Sequence, residues 1–353
     1  MTQKYKPTGN RGLFDEHNNV QKLSMIGNPL EMISKVIDFE LFRTALESGL
    51  SKKDKKSNAG ARPFDVVMMF KILILQRYYG LGDKQIEYQI IDRTSFKKFL
   101  LIETGDKVPD EKTVWMFREG LTRSGLIETI FLQFNQYLEA KELIMNEGKM
   151  IDASFTVAPR QRNTREENKI IKEGRGEELW NDKPNKKRHK DIDARWTKKN
   201  GENFYGYKNH VKVDAKSKFI DKYMVTDASI HDSQALDDLL TENDEGQDFY
   251  ADSAYTGVNQ EKTINKYKVV NNVNEKGYRN KPLTSEQIKS NRKKSKVRAR
   301  VEHVFGFMEQ SMNGLFLRSI GVVRATGIIG LINLTYNMFR YEQIVRLQIA
   351  NTK

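Results

Sequence analysis

Asp252 lies in the middle of Asp248-Phe-Tyr-Ala-Asp-Ser-Ala-Tyr255, a lone central carboxylate among aromatic and small residues. That composition predicts a short strand. A strand interior rarely carries an unpaired Asp, because burying a charge without a partner is expensive. Either Asp252 stands at the strand's exposed end, in a turn, or something positive binds it. Two more carboxylates raise the same question. Asp152 is the one acid in Lys149-Met-Ile-Asp-Ala-Ser-Phe-Thr-Val157, a second strand-like run, and Glu302 follows Arg298 by one helical turn beside an apolar stripe. If the two strands are neighbours, Asp152 and Asp252 lie about one strand spacing apart. A helix packed across the sheet edge brings Glu302 to the same point. Three convergent carboxylates repel, so a cation must neutralise them. Oxygen ligands suit hard divalent ions, Mg2+ before Ca2+ where phosphate completes the shell. Two such ions would activate an attacking oxygen and stabilise a leaving one in phosphoryl transfer.

The elements that must position these acids follow from periodicity. Apolar spacing over 28–37 and 39–50 is helical. Residues 1–30 read as an extended arm and 51–61 as a flexible basic loop. Pro63 opens a strong helix over 64–79, closed by Gly80. Further helices are expected at 83–91, 95–101, from Asp110 towards Gly120, and at 125–143. The texture changes at Gly148. After the strand at 149–157, residues 159–200 hold fourteen Lys or Arg, eight acids and the tryptophans Trp180 and Trp196, without clear periodicity. They read as a basic excursion from the sheet, mobile without its ligand. Runs at 203–213 and 219–226 predict a hairpin, 229–240 and 258–266 helices, and 268–273 a strand. Thr284-Ser-Glu-Gln287 offers a capping box to a long basic helix through Val297, Val301, Val304, Phe305 and Met308. An apolar helix at 327–347 is expected to pack on the core, since Asn333, Asn337, Arg340, Glu342 and Gln343 argue against a membrane anchor. Three early strands followed by alternating units predict an α/β fold with a mixed sheet flanked by helices.

The chain has 353 residues, 41.0 kDa, 38% hydrophobic and 30% charged content, and no cysteine, which rules out disulfides and thiolate metal sites. It shows no apolar signal core at its start, and a cytoplasmic location is expected. Its net charge of +13 favours a polyanionic partner. The surplus is concentrated: residues 276–300 hold ten Lys or Arg against one acid, Glu286.

Met150-Ile-Asp-Ala-Ser154, Tyr250-Ala-Asp-Ser-Ala-Tyr255 and Arg300-Val-Glu-His-Val-Phe-Gly306 resemble the three acidic motifs of DDE transposases of bacterial insertion sequences, in particular the insertion-sequence-five family. Asp193-Ala-Arg-Trp196, Tyr205-Gly-Tyr-Lys-Asn-His210 and Val225-Thr-Asp-Ala-Ser-Ile-His-Asp-Ser233 are similar to the family's connecting motifs. Upstream, Arg62-Pro-Phe-Asp-Val-Val-Met-Met-Phe70 and Tyr79-Gly-Leu-Gly-Asp-Lys-Gln-Ile86 resemble its N-terminal helical domain. The resemblance implies a ribonuclease-H-like catalytic domain at 147–345, with the excursion at 159–200 inserted after the first strand. It also implies a helical DNA-binding or dimerisation domain at 31–146, the arm at 1–30 and a tail at 346–353. It implies that Asp152, Asp252 and Glu302 bind two Mg2+ or Mn2+ ions and catalyse cleavage and strand transfer on double-stranded DNA, at terminal inverted repeats and a target. A homodimer is expected because two ends must be handled together. Related enzymes carry Tyr, Arg, Glu and Lys on the last helix. Arg298 and Glu302 match, but Ser295 and Glu309 stand at the Tyr and Lys positions, so those two DNA contacts do not carry over.

Other residues divide between two readings each. His231 either touches the scissile phosphate or caps a helix. His303 points away from Glu302 and has a structural or DNA role. Lys208 and His210, on alternate strand positions, either face phosphate or form a solvated strand face. Trp196 and Trp180 either stack on an unpaired base or pack a small core. Arg292, Lys293, Lys294, Lys296, Arg298 and Arg300 are read as backbone-phosphate contacts. A nuclease of the same fold and a non-catalytic DNA-binding protein are the competing classes.

Overall fold

The computed structural model describes residues 12, 14–50, 62–103, 105–199 and 201–351. The expected loop at 51–61, and the first residues of the expected arm, lie outside them. Where the rest of that arm was expected to be extended, Asp15–Ile26 forms helix α1, ended by Gly27 in the left-handed region. Then come α2 (Pro29–Val36), a 3-10 turn Phe39–Phe42, α3 (Arg43–Leu50), α4 (Val66–Tyr78), α5 (Asp83–Asp92), α6 (Thr94–Leu100), α7 (Glu111–Arg123) and α8 (Leu126–Ala140). The starts are set by local chemistry. Asn28, Asp65 and Asp110 each accept a hydrogen bond from the first turn of the helix they precede. Helix α4 is apolar nearly all round and accordingly buried between Val67 and Gln76 at all but Met68 and Lys71.

Strand β1 (Lys149–Val157) begins the sheet. The excursion is folded rather than irregular. It contains α9 (Arg165–Lys172), α10 (Pro184–Arg188) and β2 (Arg195–Lys199). Trp180 donates to Glu167 and lies under Lys186 and Lys190, which gives this small unit a centre. Its Asp191 and Asp193 accept hydrogen bonds from Gly321 N and Val322 N, fixing the unit to the start of the last helix. Strands β3 (Glu202–Asp214) and β4 (Ile220–Asp227) form the expected hairpin, followed by the short α11 (Leu236–Leu239). Then come β5 (Asp248–Tyr250), α12 (Val258–Lys266), β6 (Val270–Asn271), α13 (Ser285–Arg298), α14 (Val301–Gly306), a π-turn Phe307–Ser311 and α15 (Val322–Asn351).

The sheet runs β2–β3–β1–β5–β6, with β4 also on β3. The β1–β3, β2–β3 and β3–β4 pairs are antiparallel, and β1–β5 and β5–β6 are parallel. This is the mixed, helix-flanked sheet expected from the order of the elements. Strand β3 changes partner at Gly206, whose φ is 146° and where a Cβ would stand 2.3 Å from the Thr156 carbonyl oxygen. Only glycine permits that approach.

One apolar core runs from Phe42, Leu73 and Phe134 in the helical part to Val211 on β3 and Leu331 on α15. A smaller one, on the opposite sheet face, joins Ile151 and Phe249 to Leu236 and Ile264. Helix α15 is the hinge-pin of the larger core, and its polar residues are used there. Asn333 exchanges hydrogen bonds with Asn209, and Asn337 holds both the N–H and the carbonyl of Ile220 while donating to Asn135. Among the described residues, no helix is long and apolar enough to cross a membrane.

Candidate active site

Strands β1 and β5 pair at Lys149–Phe249 and Met150–Tyr250, so Asp152 and Asp252 both stand two residues beyond a paired rung. Here they diverge. Strand β1 continues, while β5 ends at Tyr250 and the chain turns. Asp252 caps a 3-10 turn, Ser253–Tyr255, its Oδ1 accepting from Ala254 N at 2.8 Å. The turn expected as the simpler reading is present, and the charge of Asp252 is felt at Asp152.

Side chains alternate along β1, with Met150 in the larger core and Ile151 in the smaller. Asp152 therefore shares the face of Met150, the side on which α14 packs. The continuous helix expected through 285–308 is broken. Helix α13 ends at Arg298, α14 restarts at Val301, and a π-turn follows. Arg298, at the break, donates through Nη1 to Asp152 Oδ2 at 3.1 Å, and the same nitrogen lies 3.7 Å from Glu302 Oε1. One guanidinium thus stands between two of the three carboxylates. Glu302 is largely exposed, its side chain 62% accessible against 15% for Asp152.

Burial dominates the electrostatics of Asp152. It pushes the carboxyl up to about 6, although Ala153 N and Arg298 both favour the charged form, and the charges of Asp252 and Glu302 add to the rise. Such a group lacks positive charge. The donor set is all carboxylate oxygen, the chemistry of a hard divalent ion. Among the described residues, no three acidic or histidine side chains are yet drawn together tightly enough to ligate one. The acids fit a divalent cation in chemistry and in charge, with Arg298 holding the ground between them.

The other residues singled out from the sequence separate clearly. Lys208 and His210 are buried, on the sheet face of Ala153 and Phe155 rather than that of Asp152. Lys208 binds Asp232 at 2.8 Å and the Ile230 carbonyl oxygen at 2.6 Å. His210 Nε2 meets Thr226 Oγ1 at 2.8 Å, and burial lowers its pKa to about 4. Neither offers a free face to phosphate, correcting the expectation of an exposed strand. The alternation on which that expectation rests cannot reveal that the turn after β4 folds over this face. His231 caps the turn at Asp232–Ala235, its Nδ1 accepting from Ser233 N. On α13, Arg292, Lys293 and Lys296 are exposed and have no partner among the described residues. Lys294 and Arg300 are held by the carbonyl oxygens of Val273 and Ala215. Trp196 stays 43% exposed on β2, packed on Tyr205 with Arg160 over its ring. Sequence reasoning missed Tyr255. Its ring is buried beside the acids, its hydroxyl has no partner among the described residues, and Asp152, Asp232 and Asp252 add to the burial that raises its pKa. Its place in the Asp252 motif was the available signal.

Comparison with known proteins gives three findings. The family model described as "Transposase DDE domain" matches residues 148–338, over half of the chain. A second, described as a transposase domain, matches residues 18–120. A solved structure described as a piggyBac transposase synaptic complex with hairpin DNA is 12% identical, over 92% of this chain and 76% of that one. Its TM-score of 0.44 is too low for any structural argument.

Proposed function

The chain belongs to the transposase DDE domain family, a DNA-cleaving and strand-transferring enzyme dependent on divalent metal, and on that premise we propose that Asp152, Asp252 and Glu302 are its catalytic acids. The observation that carries this reading is the charge around Asp152. It is a largely buried carboxyl in the middle of β1, two residues past the last rung shared with β5, within electrostatic reach of both other acids, with one arginine as its counter-ion. Asp152, Asp252 and Glu302 would together hold the metal. Two ions, Mg2+ or Mn2+, would supply Lewis-acid activation of the attacking oxygen and stabilisation of the leaving one. In the reaction, water attacks a phosphodiester at each end of the element and releases a 3′-hydroxyl. That hydroxyl then attacks target DNA by the same in-line displacement, expelling the target's own 3′-oxygen. Arg298, now paired with Asp152 and Glu302, would be available to a DNA phosphate were those acids to hold the metal. Arg292, Lys293 and Lys296 give the phosphate backbone a basic track leading to the acids.

The finer assignments follow the same reading. The substrate ends are terminal inverted repeats of an insertion sequence, the helical part at 31–146 serves DNA binding and dimerisation, and the protein works as a cytoplasmic homodimer. The decisive test is Asp252→Asn assayed on terminal-repeat DNA with Mg2+. Strand cleavage should fall below detection while end binding in a gel-shift assay persists. Full cleavage by that variant would remove Asp252 from the site.

A further inference from the structure

A second site of different chemistry lies where α4, α5 and α7 meet the segment between the π-turn and α15. There a cavity of ≈ 300 Å³ is lined by four arginines, Arg77, Arg118, Arg318 and Arg324. Two are matched. Arg118 forks onto Asp83 at 2.5 and 2.8 Å, and Arg324 binds Glu119 at 2.7 Å. Two are not. Arg77 and Arg318 have no hydrogen bond or ion pair from their side chains among the described residues, and the Nε of Arg77 is buried without a partner. The Ser319 hydroxyl, in the same wall, is also buried and unpartnered. Arg318 is exposed, whereas the half-buried Arg77 has only Asp83, already forked by Arg118, to offset its charge, and a guanidinium so short of counter-charge favours an anion. Burial, with the nearby Arg118 and Arg318, lowers the Arg77 pKa to about 10 against the opposing pull of Asp83.

The anion's identity follows from two things. The planar fork of arginine matches phosphate, and the two unmatched arginines line one cavity. The cavity also includes Trp115 and Phe316, which remain 39% and 47% exposed. Exposed aromatic faces beside a basic cavity stack nucleobases. We propose that this cavity binds one nucleotide unit, its phosphate on Arg77 and Arg318 and its base against Trp115 and Phe316. The site is separate from the three acids. Phe316 bridges to Val157, five residues along β1 from Asp152, or roughly 17 Å at strand rise. The inference therefore does not depend on the assignment of those acids.

The nucleotide could be part of a DNA strand or free, and titration of the full-length protein separates the two. Tryptophan fluorescence is followed against a single-stranded tetradeoxynucleotide, dAMP and inorganic phosphate, with Trp115→Phe identifying the responding ring. Quenching that is lost in Trp115→Phe is expected, with dAMP binding more tightly than phosphate. Arg318→Ala, at the exposed rim, and Arg77→Gln should each weaken dAMP by about tenfold or more. Asp252→Asn should leave it unchanged. A tetranucleotide that outcompetes dAMP assigns the site to a DNA strand, and dAMP binding without the tetranucleotide assigns it to a free nucleotide. Unaltered affinity in Arg318→Ala overturns the proposal, and so does inorganic phosphate binding as tightly as dAMP.

Discussion

Asp152 and His210 occupy neighbouring rungs of the β1–β3 ladder and respond to pH in opposite senses. The folded state raises Asp152 from 3.8 to about 6, so it binds its proton more tightly than the unfolded chain does. Stability from this group falls as pH rises from about 4 to 6, by about 3 kcal/mol in all. Burial lowers His210 from 6.5 to about 4, so the unfolded chain binds that proton more tightly and stability rises over nearly the same window, by a similar amount. In metal-free protein the two slopes oppose each other. Asp152→Asn should expose the histidine's slope alone: urea denaturation between pH 4 and 6.5 should show stability climbing with pH more steeply than in the native protein. Equal slopes for the two would mean that Asp152 is not raised. At this scale the three acids proposed as catalytic stand out in the sequence because each is a lone carboxylate in an apolar setting. Their relation through Arg298 does not, since residue spacing carries no direction for a side chain at a helix break. The burial of Lys208 and His210 escaped for a similar reason: their counterparts, Asp232 and Thr226, belong to a turn and a strand with no local mark of the pairing.

Among elements, long periodic or clearly bounded segments were legible. Strand β1 and helix α12 have the extents expected from sequence, and Thr284 opens α13 as its capping box predicts. Strand β5 is much shorter than its composition suggests, because Asp252 prefers to cap the following turn. The break between α13 and α14 was hidden, since the apolar spacing of Val297, Val301 and Val304 runs across it undisturbed. The excursion's folding was hidden too, because its organising contacts are ionic and reach α15 more than a hundred residues away. Helix α15 shows how buried amides replace apolar contact. Asn337→Leu keeps the volume but leaves the Ile220 N–H and the Asn135 Oδ1 without the partner that α15 supplies, while the Ile220 carbonyl keeps its hydrogen bond from Asn135. A loss of about 2–4 kcal/mol is expected from two such groups, measured by denaturant unfolding. A loss under 0.5 kcal/mol would show those groups satisfied elsewhere.

For the whole molecule, the net charge of +13 and the exposed arginine and lysines of α13 set how affinity depends on salt. If Arg292, Lys293 and Lys296 each neutralise one phosphate, replacing all three by Gln should reduce the slope of log affinity against log salt by about 3, across DNA sequences alike. Fluorescence anisotropy at several salt concentrations measures it, and an unchanged slope would place the DNA path elsewhere. The charge and the mixed fold were readable from composition and element order. The union of the helical part with the sheet was not, since one apolar helix gives no indication of how many partners it serves.

That union governs the order of assembly. Helix α15 packs against α2, α4, α7 and α8 as well as β3 and β4, yet it is synthesised after all of them. During translation the apolar faces of the earlier helices and the inner face of the sheet have no lid. They must wait, as chaperone substrates or as a loose collapsed state, for a helix that closes both at once. Folding is then post-translational and cooperative across the chain. A destabilising change on α15 would be read out as low yield of the entire protein rather than as a loosened end.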